Sequence, residues 1–308
     1  MKKLFNILRN TFAIFGLVAL VGHVVLYYAL DDYDVTITAR GKGLENRCNT
    51  LRESGPYLPN SSSFSMQIVQ DSLRASEIRR YFNLDSICLG ASSSWDKTLR
   101  IASFVASHIP HDNQEEYPKH VNAIGLWEYT KDVAPAFNCR LHSILTFELL
   151  VSADLTARYV TCMPQDEDDY DCHVVNEVWL PELSKWAMID TDMDGNYFTD
   201  TDGTPLSLRE IRDCYIAGTQ MLTHPEFGDG TDELSFYYAY MAKNSYWYSC
   251  WETLSFFRED KNMSDSIPSS RLVNLVPSGF QPYSSRRGQS FTTSDADRFW
   301  APANLSRR

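Results

Sequence analysis

The sequence has too little positive charge to match the phosphate backbone of a nucleic acid. Its 28 lysines and arginines are outnumbered by 40 aspartates and glutamates, which gives a net charge of -12 and an isoelectric point near 5.0. A surface of this sign repels phosphates, which argues against nucleic acid as a partner. The chain also lacks internal repeats and low-complexity tracts, which argues against collagen-like and coiled-coil architectures.

The composition is that of a folded globular protein. Hydrophobic residues make up 44% of the chain, aromatic residues 13% and charged residues only 22%. This balance allows a packed core and argues against a disordered acidic segment. A length of 308 residues corresponds to one large domain or two modest ones.

Residues 11–30 contain no Asp, Glu, Lys or Arg. A helix of that length rises about 30 Å, the thickness of the hydrocarbon core of a bilayer. Lys2, Lys3 and Arg9 precede the segment and Asp31 follows it. The positive-inside rule then predicts an uncleaved signal anchor, with residues 1–10 in the cytoplasm and a body that is extracytoplasmic, on the periplasmic or cell-envelope side. A cleaved signal peptide is the alternative, although the apolar run exceeds the usual roughly 7–15 residues.

The hydrophobic period predicts an α+β fold in which a buried helix is followed by an antiparallel sheet. Helical spacing extends over residues 95–108, and Pro110 ends that helix. A second helix begins after Asn138, which can cap it, and its wide apolar face indicates burial. Three segments rich in Val, Tyr and Trp then alternate like strands, at residues 157–163, 172–180 and 185–190.

The flanking segments carry weaker signals. Alternation at Val35, Ile37 and Ala39 predicts a short strand, and an amphipathic stretch covers residues 72–82. Further along the chain, the pattern predicts a short helix near 206–217, an aromatic helix near 234–257 and one more strand near 272–276.

Cys139, His173 and Asp190 are the candidates for chemistry. Cys139 begins the buried helix, and a catalytic thiol needs the depressed pKa that a helix N-terminus and a nearby imidazolium supply. His173, on a predicted strand, can act as the base, and Asp190, at the end of the next strand, can hold its other ring nitrogen. A satisfied core histidine and a buried apolar cysteine are the alternative interpretation.

A hairpin register gives this hypothesis a geometric form. If Leu180 pairs with Lys185, then Asp190 lies opposite Val175, which is two residues from His173. Residues two apart in a strand share a face, and diagonal neighbours across strands are within reach. We therefore expect the side chains of His173 and Asp190 to meet, whereas a slip of one residue would separate them.

Four segments resemble the transglutaminase-like superfamily, a branch of the papain-like cysteine protease fold. They are Asn-Cys-Arg-Leu-His at 138–142, Arg-Tyr-Val-Thr-Cys-Met at 158–163, Asp-Cys-His-Val-Val-Asn at 171–176 and Lys-Trp-Ala-Met-Ile-Asp at 185–190. The resemblance implies that Cys139 is the nucleophile, His173 the general base and acid, and Asp190 the orienting residue. It also implies a catalytic helix packed on an antiparallel β-sheet. Together with the apolar run at 11–30, it predicts a bacterial, membrane-anchored member of the superfamily.

The residue patterns and this resemblance together give the expected organisation. After the anchor at 11–30 come an N-terminal extension at 31–90, a transglutaminase-like domain at 91–260 and a C-terminal extension at 261–308, partly strand and with an end that can be disordered. The expected function is thiol-dependent acyl transfer from a peptide or side-chain amide, by a hydrolase or acyltransferase that needs no cofactor and no metal. The expected partner is a peptide or protein substrate. The alternative is a catalytically idle peptide-binding or protein-binding module on the same fold.

Two metal motifs compete for the same residues. Asp190, Asp192 and Asp194 copy the first half of a calcium-binding loop, but position twelve is Thr201 where a bidentate glutamate belongs. Cys139 and His142 have a spacing found in zinc sites, yet such a site would consume the thiolate that catalysis needs. His142 is also a second candidate for the base.

An acidic run precedes His173, at residues 166–171. It is interpreted as a solvated hairpin tip, or as a field that raises the pKa of His173 and attracts cationic substrates. The backbone amide of Cys139 is one candidate donor to the oxyanion, and the candidates for a second donor are His111, Gln114 and Trp127.

Seven cysteines leave at least one thiol outside any set of disulfides. If Cys139 is the nucleophile, six remain, and disulfides persist outside the cytoplasm. Candidate pairs are Cys162 with Cys172, Cys48 with Cys88 and Cys214 with Cys250, although the sequence alone allows other connectivities.

Overall fold

The computed structural model describes residues 16–21, 33–59, 63–166, 168–169, 171–224, 231–256, 271–282 and 290–307. The predicted membrane segment, residues 11–30, lies outside these ranges except for an exposed helical stretch at 16–21. Within the described ranges, every helix is too short or too polar to cross a bilayer. The predicted transmembrane helix therefore has no support from the structure.

The described residues form a mixed α/β fold in which a six-stranded sheet carries much of the core. The helices are α1 (Tyr33–Glu53), α2 (Ser72–Phe82), α3 (Leu84–Ile87), α4 (Ser94–His108), α5 (Ala123–Asp132), α6 (Cys139–Ser152), α7 (Leu208–Ala217), α8 (Thr231–Lys243) and α9 (Ala296–Phe299). The strands are β1 (Gln67–Gln70), β2 (Ala157–Met163), β3 (His173–Leu180), β4 (Lys185–Ile189), β5 (Tyr197–Thr199), β6 (Leu222–His224), β7 (Trp247–Trp251), β8 (Thr253–Ser255), β9 (Leu272–Leu275), β10 (Ser290–Thr293) and β11 (Asn304–Arg307).

The six-stranded sheet has the strand order β10, β9, β7, β2, β3, β4. Its neighbours pair antiparallel, with the exception of the parallel pair β9 and β10. A three-stranded sheet has the order β11, β1, β8, and β5 pairs with β6. Every residue of β2 is buried, as expected for a strand with a neighbour on each edge and covered faces. Helix α6 packs against β2 and β3.

Helix α6 is held to β3 by polar contacts as well as by its apolar side chains. Ser143 donates its hydroxyl to the carbonyl oxygen of Val174 at 2.7 Å, and the side-chain amide of Asn176 donates to the carbonyl oxygen of Ser143 at 2.9 Å. Glu148, fully buried on the same helix, accepts from the backbone N–H of Ala123 at 2.7 Å. These contacts set the position of the helix along β3, and therefore the position of its first residue.

The sequence predicted the central elements well and two flanking elements incorrectly. The structure confirms most of the predicted elements to within about two residues at their ends: helices α2, α4, α6 and α7 and strands β2, β3, β4 and β9. The predicted strand at Val35, Ile37 and Ala39 is wrong, because these residues lie in α1, which packs against α7 and α8. The predicted aromatic helix at 234–257 is correct only as far as Lys243. The chain then enters β7, which pairs with β2 and β9.

The predicted disulfides are absent from the structure. All seven cysteines are free thiols, and all lie in the described ranges. Cys162 faces His173 in the pairing of β2 with β3, so it lies opposite the neighbour of its proposed partner Cys172.

A buried ion pair joins β2 to β3. The Nη2 and Nε atoms of Arg158 donate to Oε2 of Glu177 at 2.6 and 3.1 Å, and neither side chain is more than 1% exposed. Oε1 of Glu177 accepts from the backbone N–H of Leu208 at 2.9 Å and from the indole N–H of Trp300 at 3.3 Å. Nη1 of Arg158 donates to the carbonyl oxygen of Phe299 at 2.8 Å. The pair thus connects the sheet to α7 and to the C-terminal segment.

We expect Glu177→Gln to lower the free energy of unfolding by about 3–5 kcal/mol, because it leaves the buried guanidinium of Arg158 without its counter-charge. The matched control is Asp297→Asn, which removes the acid from the exposed pair with Arg209. That change is expected to cost about 0–1 kcal/mol. Urea unfolding of the three proteins measures both effects, and equal losses for the two variants would contradict this account of the buried pair.

Candidate active site

The structure brings the three predicted residues to one end of the sheet. Cys139 is the first residue of α6 and is partly exposed, His173 is the first residue of β3, and Asp190 directly follows β4. His173 and Asp190 are fully buried. The Sγ atom of Cys139, a ring nitrogen of His173 and a carboxylate oxygen of Asp192 all lie within 4.8 Å of one another. A thiol, an imidazole and two carboxylates therefore share one small volume.

The predicted hairpin register is confirmed. Leu180 pairs with Lys185 and Asn176 pairs with Ile189, so Asp190 follows in register on the face that carries His173. Nε2 of His173 lies 2.6 Å from Oδ2 of Asp190. This contact assigns Nε2 as the donor to the carboxylate, so Nδ1 is the ring nitrogen that remains to exchange a proton.

Helix α8 covers this face with two tyrosines that the sequence analysis did not identify. The hydroxyl of Tyr237 donates to Oδ2 of Asp190 at 3.0 Å. The ring of Tyr240 packs against the ring of His173, with centroids 5.1 Å apart. Burial raises the pKa of Tyr237, so its hydroxyl stays a donor. The spacing of three residues on an aromatic helix was the signal that could have placed both rings on one face.

The charge of His173 is set by two opposing effects. Burial lowers its pKa, but the charge of Asp190 and the hydrogen bond to Asp190 raise it by more, with a smaller contribution from Cys139. The net result is a pKa well above the ordinary value for histidine. An imidazolium is therefore stable beside Cys139 at neutral pH, which is the condition for a thiolate-imidazolium pair.

Asp192 belongs to the site although its sequence context suggested a calcium loop. Its Oδ1 accepts from Nδ1 of His111 at 2.8 Å, while its Oδ2 is buried and has no hydrogen-bond partner among the described residues. Burial and the negative charge of Asp190 raise the pKa of Asp192. Because His173 and His111 already contact Asp190 and Asp192, the arrangement differs from a calcium loop, in which the carboxylates face the ion.

His142 lies beside this group as a neutral residue. It is fully buried, and burial lowers its pKa to about 4. Its Nε2 lies 3.5 Å from the carbonyl oxygen of Pro110 and 3.7 Å from Oδ1 of Asp192. It contacts Asp192 rather than Asp190, and it lacks the carboxylate hydrogen bond that orients His173.

The other predicted candidates divide between the site and its surroundings. His111 reaches the site through its hydrogen bond to Asp192. The ring of Trp127 stacks on the ring of Phe104, with centroids 5.2 Å apart. The side-chain amide of Gln114 donates to the carbonyl oxygen of Asp112. In the acidic run, Asp169 and Asp171 accept from the ammonium group of Lys243 at 2.9 and 3.0 Å, so α8 neutralises part of that charge.

Comparisons with known proteins identify a family match for the region that contains the predicted catalytic residues. The family model described as the transglutaminase-like superfamily matches residues 84–191. No curated protein matches the chain. A solved structure from Cytophaga hutchinsonii, a proposed cysteine protease, is 14% identical, and the match covers 48% of this chain and 46% of that chain with a TM-score of 0.30.

The family model covers the part of the chain that holds the predicted catalytic residues. The matched range contains Cys139, His173 and Asp190, together with α6 and strands β2 to β4. Residues 84–191 of this chain form a transglutaminase-like superfamily domain.

Proposed function

We propose that this protein is a cysteine hydrolase that cleaves a peptide or side-chain amide. The observation that supports the proposal is the hydrogen bond of 2.6 Å between His173 and Asp190, with the Sγ of Cys139 close to the same imidazole. The transglutaminase-like domain and its membership of a cysteine-dependent superfamily support the same reaction class.

The proposed reaction has two halves. The Cys139 sulfur attacks the amide carbonyl carbon while its proton resides on Nδ1 of His173, and the tetrahedral intermediate collapses as that proton passes to the leaving amine. Water then gives a proton to His173 and attacks the acyl-enzyme, and the thiol is regenerated as the carboxylic acid leaves. Asp190 keeps the ring oriented and stabilises its positive charge throughout. The backbone amide of Cys139, at the N-terminus of α6, is the proposed donor to the oxyanion.

Water is the proposed acceptor of the acyl group. The alternative acceptor is an amine, which would make the reaction a transamidation. No arrangement among the described residues is dedicated to an amine. The acidic run is the feature that could attract one, but Lys243 already pairs with two of its aspartates.

An idle binding module is the second candidate function. It is favoured by the burial of His173, which limits the access of solvent to the base. The two functions predict different effects of removing the Cys139 thiol: loss of amide cleavage for the hydrolase, and unchanged peptide binding for the binding module.

The variant Cys139→Ala is expected to lower the rate of amide cleavage by at least about 10³-fold, because it removes the sulfur that forms the proposed acyl-enzyme. The assay follows release of amines from a peptide library and from cell-envelope extracts, and mass spectrometry of quenched wild type looks for an acyl adduct on Cys139. Cys214→Ala, which removes a partly buried thiol from α7, is the matched control and should retain full activity. Peptide binding that is equal in wild type and Cys139→Ala, without turnover in either, would instead identify a binding module.

The variant Asp190→Asn is expected to move the alkaline limb of kcat/KM to lower pH. Asp190 is what raises the pKa of His173 against the effect of burial, so its neutral replacement lets the imidazolium lose its proton earlier as the pH rises. The rate at the optimum should also fall by roughly 10²–10⁴-fold.

The measurement for Asp190→Asn is the pH profile of kcat/KM together with the pH profile of iodoacetamide alkylation at Cys139. Asp194→Asn makes the same chemical change at an exposed position of the same turn and should leave both profiles unchanged. Superimposable profiles for wild type and Asp190→Asn would refute the assignment of Asp190 as the orienting residue.

We also propose that residues 11–30 anchor the body outside the cytoplasm, on the sequence pattern alone. The full chain, expressed in a bacterial host, should stay with membranes after an alkaline carbonate wash. Protease added to spheroplasts should then degrade the body from outside. Release by carbonate, or protection of the body until the cells are lysed, would contradict this location.

A further inference from the structure

Asp192 has no part in the reaction proposed above, although its carboxylate lies against the thiol and the imidazole. Its side chain is 1% exposed, and its oxygen, the Cys139 sulfur and the His173 nitrogen lie within 4.8 Å of one another. A carboxylate so placed adds negative charge beside the position of the thiolate, which no step of amide cleavage requires. The three atoms are sulfur, nitrogen and oxygen, each of a type that binds first-row transition metals.

Two buried polar atoms in this group lack hydrogen-bond partners within the described ranges. Oδ2 of Asp192 and Nδ1 of His173 are both shielded from solvent and make no hydrogen bond to the described residues. Buried atoms of this kind are rare in folded proteins, and each calls for a physical explanation. Nδ1 is explained by its function as the base for Cys139, but Oδ2 is not. A cation held between them would satisfy both.

The contacts behind these atoms also suit a metal site. Asp190 holds Nε2 of His173, which leaves Nδ1 as the nitrogen that faces the group, and a carboxylate behind a histidine is the arrangement that orients imidazole ligands of zinc. His111 holds Oδ1 of Asp192 at 2.8 Å, which leaves Oδ2 unengaged. Each of the two buried ligands is therefore oriented by a hydrogen bond from its far side.

We propose that Zn²⁺ binds reversibly to Sγ of Cys139, Nδ1 of His173 and Oδ2 of Asp192, and thereby inhibits the enzyme. Thiolate, imidazole and carboxylate are zinc ligands, whereas Ca²⁺ and Mg²⁺ prefer sites made wholly of oxygen. The partly exposed side of Cys139 leaves a fourth position for water. This set differs from the Cys139 and His142 motif considered above, because His142 contacts Asp192 rather than joining the ligands.

Inhibition follows from the balance of atoms. The Cys139 and His173 side chains share one proton, whether it resides on sulfur or on nitrogen, and Zn²⁺ displaces that proton to solvent when it binds both atoms. The sulfur then lacks a free electron pair directed at substrate and the imidazole cannot accept a proton. Only this consequence, and not the metal site itself, rests on the proposed function.

The binding test uses Co²⁺, which replaces zinc and has visible spectra. Wild type should develop a thiolate-to-cobalt charge-transfer band, and Cys139→Ala should not. Asp192→Asn should bind Co²⁺ at least about tenfold more weakly, and Asp194→Asn, the same change at an exposed position of the turn, should bind like wild type. Equal affinity for wild type and Asp192→Asn, or a band that persists in Cys139→Ala, would overturn the proposal.

A second measurement on wild type guards against a variant that fails to fold. Zn²⁺ should protect Cys139 from iodoacetamide and leave the alkylation of Cys214 unchanged, as mass spectrometry of the two peptides will show. Unaltered alkylation of Cys139 in saturating Zn²⁺ would refute the site.

Turnover distinguishes a failure of this inference from a failure of the proposed function. A cobalt band that depends on Asp192, in a protein without turnover, supports the metal site and refutes the hydrolase. Turnover that Zn²⁺ does not inhibit, in a protein without the band, supports the hydrolase and refutes the metal site.

Discussion

The contact between His173 and Asp190 is the interaction on which the site depends. Its 2.6 Å separation lies in a volume that solvent does not reach, where an unpaired carboxylate would be costly. The protein satisfies that carboxylate three times, through His173, Tyr237 and the backbone N–H of Met193 at 3.3 Å. These partners come from β3, from α8 and from the turn after β4, so three parts of the fold together hold the carboxylate.

The register of β3 and β4 is therefore a chemical constraint as well as a structural one. A shift of one residue would turn Asp190 to the opposite face of the sheet and leave His173 without its acceptor. Helix α6 adds the second constraint, since Ser143 and Asn176 fix how far along β3 the helix begins. Cys139 is brought to His173 by these two alignments together.

The two aspartates of the turn differ in how well the fold satisfies them. Asp190 has partners on both oxygens, whereas the part of the chain that the structure describes offers Asp192 partners on one oxygen and none on the other, which is buried. The proximity of the two carboxylates raises the pKa of Asp192 further than burial alone. Functional sites commonly retain incompletely satisfied polar groups of this kind, while structural pairs such as Arg158 and Glu177 are satisfied throughout.

By itself the sequence determined the nucleophile, base and orienting acid as candidates, the elements that carry them and the register that joins His173 to Asp190. These properties depend on short-range periodicity, a helix cap and one tight hairpin, all of which are local. It did not determine the strand at β7, since aromatic residues suit a helix or a strand and the pairing with β2 and β9 decided between them. Only the tertiary structure decided that all seven cysteines stay free, that Tyr237 and Tyr240 contact Asp190 and His173, and that Asp192 meets His111 and Cys139. Those contacts join residues far apart in the chain, and packing, rather than any local pattern, sets the distances between them.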